Sequence, residues 1–248
     1  MDQNLKTIEA IDFMVIAAHA DDAELGCGGT ILKMVDLGHQ GILVDMTKAT
    51  AATRGTPEQR IAEATNAAKI LGCTRINLGL PDAKLENSEA NLFILIDLIR
   101  KYKPRMVFTH YPQDWHPDHT VTATLVEQAW YKAGLKALKT AGHFEAFRPR
   151  RLFYFLGSVE VEPVFCVDIS DYWEQKISLI QTYESQFFTQ QVEQWSGKTA
   201  ISSPDFMEFI EVRNRFYGSR IKRKYAEAFW CKEWAEVFDP CALGERFF

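Results

Sequence analysis

Two short stretches far apart in the chain carry the same chemical vocabulary: Ala18-His19-Ala20-Asp21-Asp22-Ala23-Glu24 and His116-Pro117-Asp118-His119. Each sets imidazole beside carboxylate within a turn of chain, just beyond an apolar run. Two neutral imidazoles and one carboxylate around an open position are a recurring way to hold a divalent metal that activates water. If the two stretches meet in space, they make a metal-dependent hydrolase site. Singly, each would read as a helix cap or a surface turn. Two histidine–acid clusters at two strand ends are hard to explain by packing.

The elements that must bring them together alternate along the first half. Residues 13–18 form a continuous apolar run, as in a parallel strand buried on both faces. Ile31, Leu32 and Val35 share a face of the helix that follows, and Gly38 stops it. Residues 41–46 read as the next strand, and Pro57 opens a helix that runs to Gly72. Residues 75–78 are a short strand before a Gly79-Leu80-Pro81-Asp82 turn. Residues 92–99 have helical period, 105–109 form a further strand, and the helix after it begins at Pro117. This βαβα order predicts an α/β fold: a Rossmann-like, doubly wound, mostly parallel sheet flanked by helices. Residues 152–156 and 164–167 read as two more strands, and 172–187 and 204–217 as long helices. A polar stretch over 189–203 reads as a flexible loop between those helices, and residues 1–248 as a single domain.

In open α/β sheets, ligands bind where loops leave the carboxyl ends of strands, and both motifs fall at such ends. Neighbouring side chains of an extended chain point to opposite faces. Asp21 and Asp22 can therefore serve one site only if the backbone turns there, and Gly26-Cys27-Gly28-Gly29 would let that turn pack closely on the sheet. In the second motif Pro117 suits a first helical position, which places His116 at the cap and His119 in the first turn. The two imidazoles then share a helix face. The helix N-terminus disfavours imidazolium, which keeps a ligand histidine neutral. Asp118 could anchor an imidazole N–H from outside the ligand set. His110, at the end of its strand, reads either as pocket lining or as a spare ligand; His39 and His143 read as a loop and an exposed turn.

Composition narrows the classes. The 248 residues are 47% hydrophobic and 25% charged, as in an ordinary globular protein with ample core. A net charge of −5 argues against a nucleic-acid partner, which needs a clustered basic face. The nearest such cluster, Arg220-Ile221-Lys222-Arg223-Lys224, reads as a solvated helix end or an interface. The five cysteines form no CxxC pair and fit a reducing compartment, with Cys27 and the others as small packing residues. No apolar signal region and no run of membrane-spanning length is present, so a cytoplasmic protein without membrane association is expected.

The two motifs resemble those of the PIG-L/LmbE-like zinc deacetylases, whose signature reads AHPDDE with a later HPDH. Thr53-Arg54-Gly55-Thr56-Pro57-Glu58, Leu78-Gly79-Leu80-Pro81-Asp82, Val167-Asp168-Ile169-Ser170 and Ala226-Glu227-Ala228-Phe229 extend the resemblance over nearly the full length. They look like the branch that deacetylates N-acetylglucosaminyl-L-malate in bacillithiol biosynthesis. The resemblance implies Zn2+ held by His19, Asp22 and His119, although iron or cobalt also suits such donors. It implies Asp21 as general base, His116 as stabiliser of the oxyanion or proton donor to the leaving amine, and Asp118 as orienter of a histidine. It also implies a small amino-sugar substrate and a homo-oligomer.

Two positions depart from the pattern. Ala20 stands where the motif has proline, and Trp115 stands where this branch commonly has arginine. Arg54 remains as a candidate carboxylate clamp, with Lys48 beside it. Trp115 would instead stack on a sugar face or an apolar aglycone, and His110 would line the pocket. Two other readings stand beside this one. The first is the same chemistry on another N-acyl glycoside or natural product. The second is a sugar- or nucleotide-binding module without catalysis, although Ile31 occupies the last glycine position of a G-x-G-x-x-G motif. The aromatic residues of the tail (Phe229, Trp230, Trp234, Phe238, Phe247 and Phe248) would pack at an interface or on the core.

Overall fold

The structure is a computed structural model that describes residues 10–48, 54–157, 159–187, 199–234 and 239. Its strands are β1 (Phe13–Ala17), β2 (Gly41–Thr47), β3 (Thr74–Leu80), β4 (Met106–His110), β5 (Arg151–Phe155), β6 (Phe165–Asp168) and β7 (Ala226–Trp230). Its helices are α1 (Asp22–Asp36), α2 (Pro57–Leu71), α3 (Glu89–Tyr102), α4 (Pro117–Lys132), α5 (Trp173–Gln181) and α6 (Asp205–Arg220). The strands form one sheet in the order β3-β2-β1-β4-β5-β7-β6. Strands β1 to β5 run parallel, and β7 runs antiparallel to both β5 and β6. The order reverses direction on either side of β1, so the crevice between the ends of β1 and β4 is the switch point of the fold.

Strand β1 explains the continuous apolar run. Phe13, Val15 and Ala17 enter one core layer with Ile31, Ala67 and Leu179. Met14 and Ile16 enter the other with Leu95, Ile99, Leu125 and Val126. Successive side chains go to opposite faces, and both faces are covered by helices. Pro57 and Gly72 delimit α2 as read: Thr56 and Gln59 form a reciprocal capping box, and Gly72 closes the helix in the left-handed conformation (φ 66).

The second half differs from the sequence reading. Helix α5 ends at Gln181 rather than near 187. Glu63 of α2 draws Ser185 out of helical bonding, accepting its backbone N–H at 2.7 Å and its hydroxyl at 2.8 Å. Strand β3 runs on through Gly79, which takes φ 69, so the turn begins beyond Leu80. Strand β7 went unread, and Phe229 and Trp230 belong to it rather than to a tail. Phe229 is fully buried between Phe155 and Phe165. A buried Glu227 in the middle of the strand hides its apolar character. Trp234 is exposed; Phe238, Phe247, Phe248 and most of the loop read over 189–203 lie outside the described residues. Among the described residues, no helix is long and apolar enough to cross a membrane.

Candidate metal centre

Both motifs converge at the switch point. His19 follows β1, and Asp22 opens α1. The chain between them turns sharply at Asp21, whose φ of 133 is rare for a residue with a side chain. That turn is what lets Asp21 and Asp22 face one cavity. Arg60 of α2 holds it from outside, donating to the Ala20 carbonyl at 2.7 Å and meeting the Asp21 carboxylate at 3.4 Å. Asp22 fixes it from inside by accepting the His19 backbone N–H at 2.8 Å. From the other side, Pro117 starts α4 and His116 caps it, as read.

The Asp22 carboxylate lies between the two predicted ligand imidazoles. One oxygen is 3.3 Å from His19 Nδ1, and the other is 3.3 Å from His119 Nε2. The far nitrogen of each ring faces another acid. His19 Nε2 is 3.2 Å from Asp82 and 3.4 Å from Asp118; His119 Nδ1 is 3.1 Å from Asp114. Asp118 itself accepts the Ala83 N–H at 2.9 Å, which holds its carboxylate in place. At His19 this is the pattern of a ligand nitrogen pointing inward while the opposite nitrogen is held by an outer carboxylate; at His119 the Asp114 carboxylate is close but outside hydrogen-bonding geometry.

Charge follows from these distances. Burial disfavours imidazolium at His19, but Asp22 and Asp82 outweigh it and raise the pKa to about 11. Burial is likewise outweighed at His119 by Asp22 and Asp114, which raise it to about 9. Asp22 is held well below the usual carboxylate range, the two facing imidazoles His119 and His110 overcoming its burial. The crevice is thus built around positive charge. Ring nitrogens of His19, His116 and His119 come within 4.8 Å of one another, as do donor atoms of Asp22, His110 and His119, and of His19, Asp82 and Asp118. Nitrogen and carboxylate donors in such a setting fit a divalent cation.

His110 is fully inside. Its Nε2 accepts the Ala18 N–H at 3.0 Å, tying the end of β4 to the end of β1. Its ring stacks on His119 with centroids 4.0 Å apart. Burial and the neighbouring His119 push its pKa down to about 4. With that lone pair committed, His110 is wall and support of the centre. His116 is the exposed member; its Nδ1 accepts the Asp118 N–H at 3.2 Å. The proton of the neutral ring is therefore on Nε2, free to be donated. Burial and His119 hold His116 below its usual pKa, which keeps it neutral. Burial pushes the Asp21 carboxyl up to about 6, with Arg60 holding it back.

These residues line a cavity of about 350 Å³. Its opposite wall is Phe155, Ile201, Phe206, Phe209 and Ile210, with Gln186 and Arg213 supplying polar groups. Three of the proposed substrate contacts stand apart from it. Trp115 is 84% exposed and Lys48 lines a separate small cleft, so neither joins this wall. Arg54 is buried one layer behind: its carbonyl accepts the Gln186 amide at 2.8 Å, while its Nε and Nη2 have no partner among the described residues. Glu24, the last acid of the first motif, belongs to the scaffold, accepting from Arg75 at 2.5 Å and Tyr183 at 2.8 Å. Sequence reading missed Asp114, Asp82, Arg60 and Arg213. Asp82 alone had a signal, in the turn residues around it.

A mixed sheet with histidines and aspartates gathered at its switch point defines an α/β protein with a candidate divalent-cation site. The family model for PIG-L, the GlcNAc-PI de-N-acetylases, matches residues 14–130. The chain is 27% identical to a diacetylchitobiose deacetylase of Thermococcus kodakarensis, over 86% of this chain and 80% of that one. It is 32% identical to an uncharacterised deacetylase of Escherichia coli, over 51% of this chain and 68% of that one. Its fold matches the conserved protein TT1542 of Thermus thermophilus with a TM-score of 0.82 and 33% identity, covering 92% of this chain and 97% of that one. The chain belongs to the PIG-L family.

Proposed function

We propose that the protein is a zinc-dependent deacetylase that removes the acetyl group of an N-acetylglucosaminide, with N-acetylglucosaminyl-L-malate as its substrate. The carrying observation is the Asp22 carboxylate set 3.3 Å from a nitrogen of both His19 and His119, with Asp21 and His116 on the same cavity. A cation held by His19, Asp22 and His119 would polarise the acetyl carbonyl and acidify a water. Asp21 takes the proton of the attacking water; its pKa of about 6 leaves it mostly ionised at neutral pH and still basic enough to act. His116 hydrogen-bonds from Nε2 to the carbonyl oxygen as charge develops there, and the proton that Asp21 took from the water passes to the departing amine as the C–N bond breaks. Asp118 keeps the His19 ring turned inward, and Asp114 lies beside the His119 ring. Phe206, Phe209 and Ile210 give the cavity an apolar wall on which a sugar ring would rest.

The malyl aglycone rests on the resemblance of residues 53–58, 78–82, 167–170 and 226–229 to the bacillithiol branch. Deacetylase names among the relatives support the reaction class. The test is acetate release from N-acetylglucosaminyl-L-malate and from neutral N-acetylglucosaminides, with metal-stripped and zinc-restored protein. Release from the malyl substrate only after zinc is restored is expected. Equal turnover of the neutral substrates would remove the malate assignment, and zinc-independent turnover would remove the metal.

A further inference from the structure

Helix α1 is broken. Cys27 leaves helical geometry at φ −148 and ψ 23, separating the turn that carries Asp22 from the rest of the helix. In an unbroken helix the Gly29 N–H would bond to the Leu25 carbonyl and the Thr30 N–H to the Gly26 carbonyl. Here both N–H groups go to one buried carboxylate instead. Glu227 of β7 accepts Gly29 N–H at 3.0 Å and Thr30 N–H at 2.7 Å. The Leu25 carbonyl receives two cations, Lys176 Nζ of α5 at 3.1 Å and Arg213 Nη2 of α6 at 2.9 Å. Lys176 and Glu227 close the arrangement with an ion pair at 2.6 Å, and both are fully buried.

A buried ion pair is a poor way to gain stability, because desolvation offsets most of its attraction. A straight α1 would need neither member. We infer that the Lys176–Glu227 pair, with Arg213, is a positioning device: it caps both sides of the break and so holds the Asp22 carboxylate between His19 and His119. Three elements from the second half of the chain thereby set the geometry of a centre whose ligands all come from the first half. None of the three residues touches a ligand side chain. Their effect passes through the backbone of 25–30.

The inference rests on reading His19, Asp22 and His119 as metal ligands, and the test separates the two. Co2+ serves as probe, its affinity measured by chelator competition and its coordination by the visible d–d spectrum. The wild-type protein should bind one Co2+ tightly. The paired apolar replacement Lys176→Met with Glu227→Leu removes both members of the ion pair and leaves Arg213 on the Leu25 carbonyl, and Glu227→Gln keeps one acceptor of the two. Affinity should fall about 10- to 100-fold in the paired variant, the size typical of outer groups that orient ligands, and less in Glu227→Gln. The d–d bands should shift in both. Leu95→Ala, in the core on the other face of the sheet, should lower thermal stability and leave Co2+ affinity and spectrum as in wild type. If the paired variant does not fold, Glu227→Gln decides alone. Folded variants that bind Co2+ with wild-type affinity and spectrum would overturn the positioning role. A wild-type protein that binds no Co2+ would overturn the metal reading, and this inference with it.

Discussion

Asp21 carries two strains at once: a backbone at φ 133 and a carboxylate removed from water. Such conformations cost on the order of 1–3 kcal/mol and persist only where surrounding bonds hold them. Here the holder is Arg60, which is also the counter-charge. Replacing Asp21 by Asn should lower kcat by about 10²- to 10⁴-fold while bound metal, measured by elemental analysis, stays near wild type. Loss of the metal together with the activity would instead make Asp21 a ligand. Because the base must be ionised, kcat should fall as pH drops through about 6. Arg60→Met removes the group that opposes the upward shift, so the acid limb of the pH–rate profile should move to higher pH. A downward or absent movement would contradict the pairing.

At the scale of elements, the glycines after the first motif are steric rather than conformational devices. A Cβ on Gly26 would lie 2.3 Å from the Phe155 ring of β5. Gly26→Ala should therefore destabilise the protein by about 1–3 kcal/mol, read as a lowered thermal midpoint, and Phe155→Leu should recover part of it. Elements with one dominant signal were legible: β1 from its two-faced apolar run, α2 from Pro57 and Gly72, α4 from Pro117. Those whose limits depend on a distant partner were not. Glu63 shortens α5 by drawing away Ser185, and the buried Lys176 makes an acidic residue tolerable in the middle of β7.

For the whole molecule, the centre is a cluster of acids that demands positive charge from either protons or a metal ion. In metal-free protein, His19 and His119 have pKa values of about 11 and 9, above the 6.5 of free histidine. A raised folded-state value contributes stability that is fully present below pH 6.5 and is lost as pH rises through 9 and then 11. The thermal midpoint of chelator-treated protein should fall between about pH 6.5 and 9, and saturating zinc should flatten that fall. Calorimetry in buffers of different ionisation enthalpy should record about two protons released per zinc bound near neutrality. A pH-independent midpoint without metal would mean that these imidazoles are not held by the acids around them. The ligand and base candidates His19, Asp21, Asp22, His116, Asp118 and His119 were readable because motif spacing on strand ends and a helix start is a local property. Local pattern likewise carried the α/β class and the parallel core of the sheet. Asp114, Arg60, Arg213, Lys176 and Glu227 became visible as counter-charges or caps only in three dimensions, since such a role is defined by distance across the fold. The same physics moved Trp115 and Lys48 off the cavity wall and set Arg54 behind it, for backbone direction and burial decide which side chains share one volume.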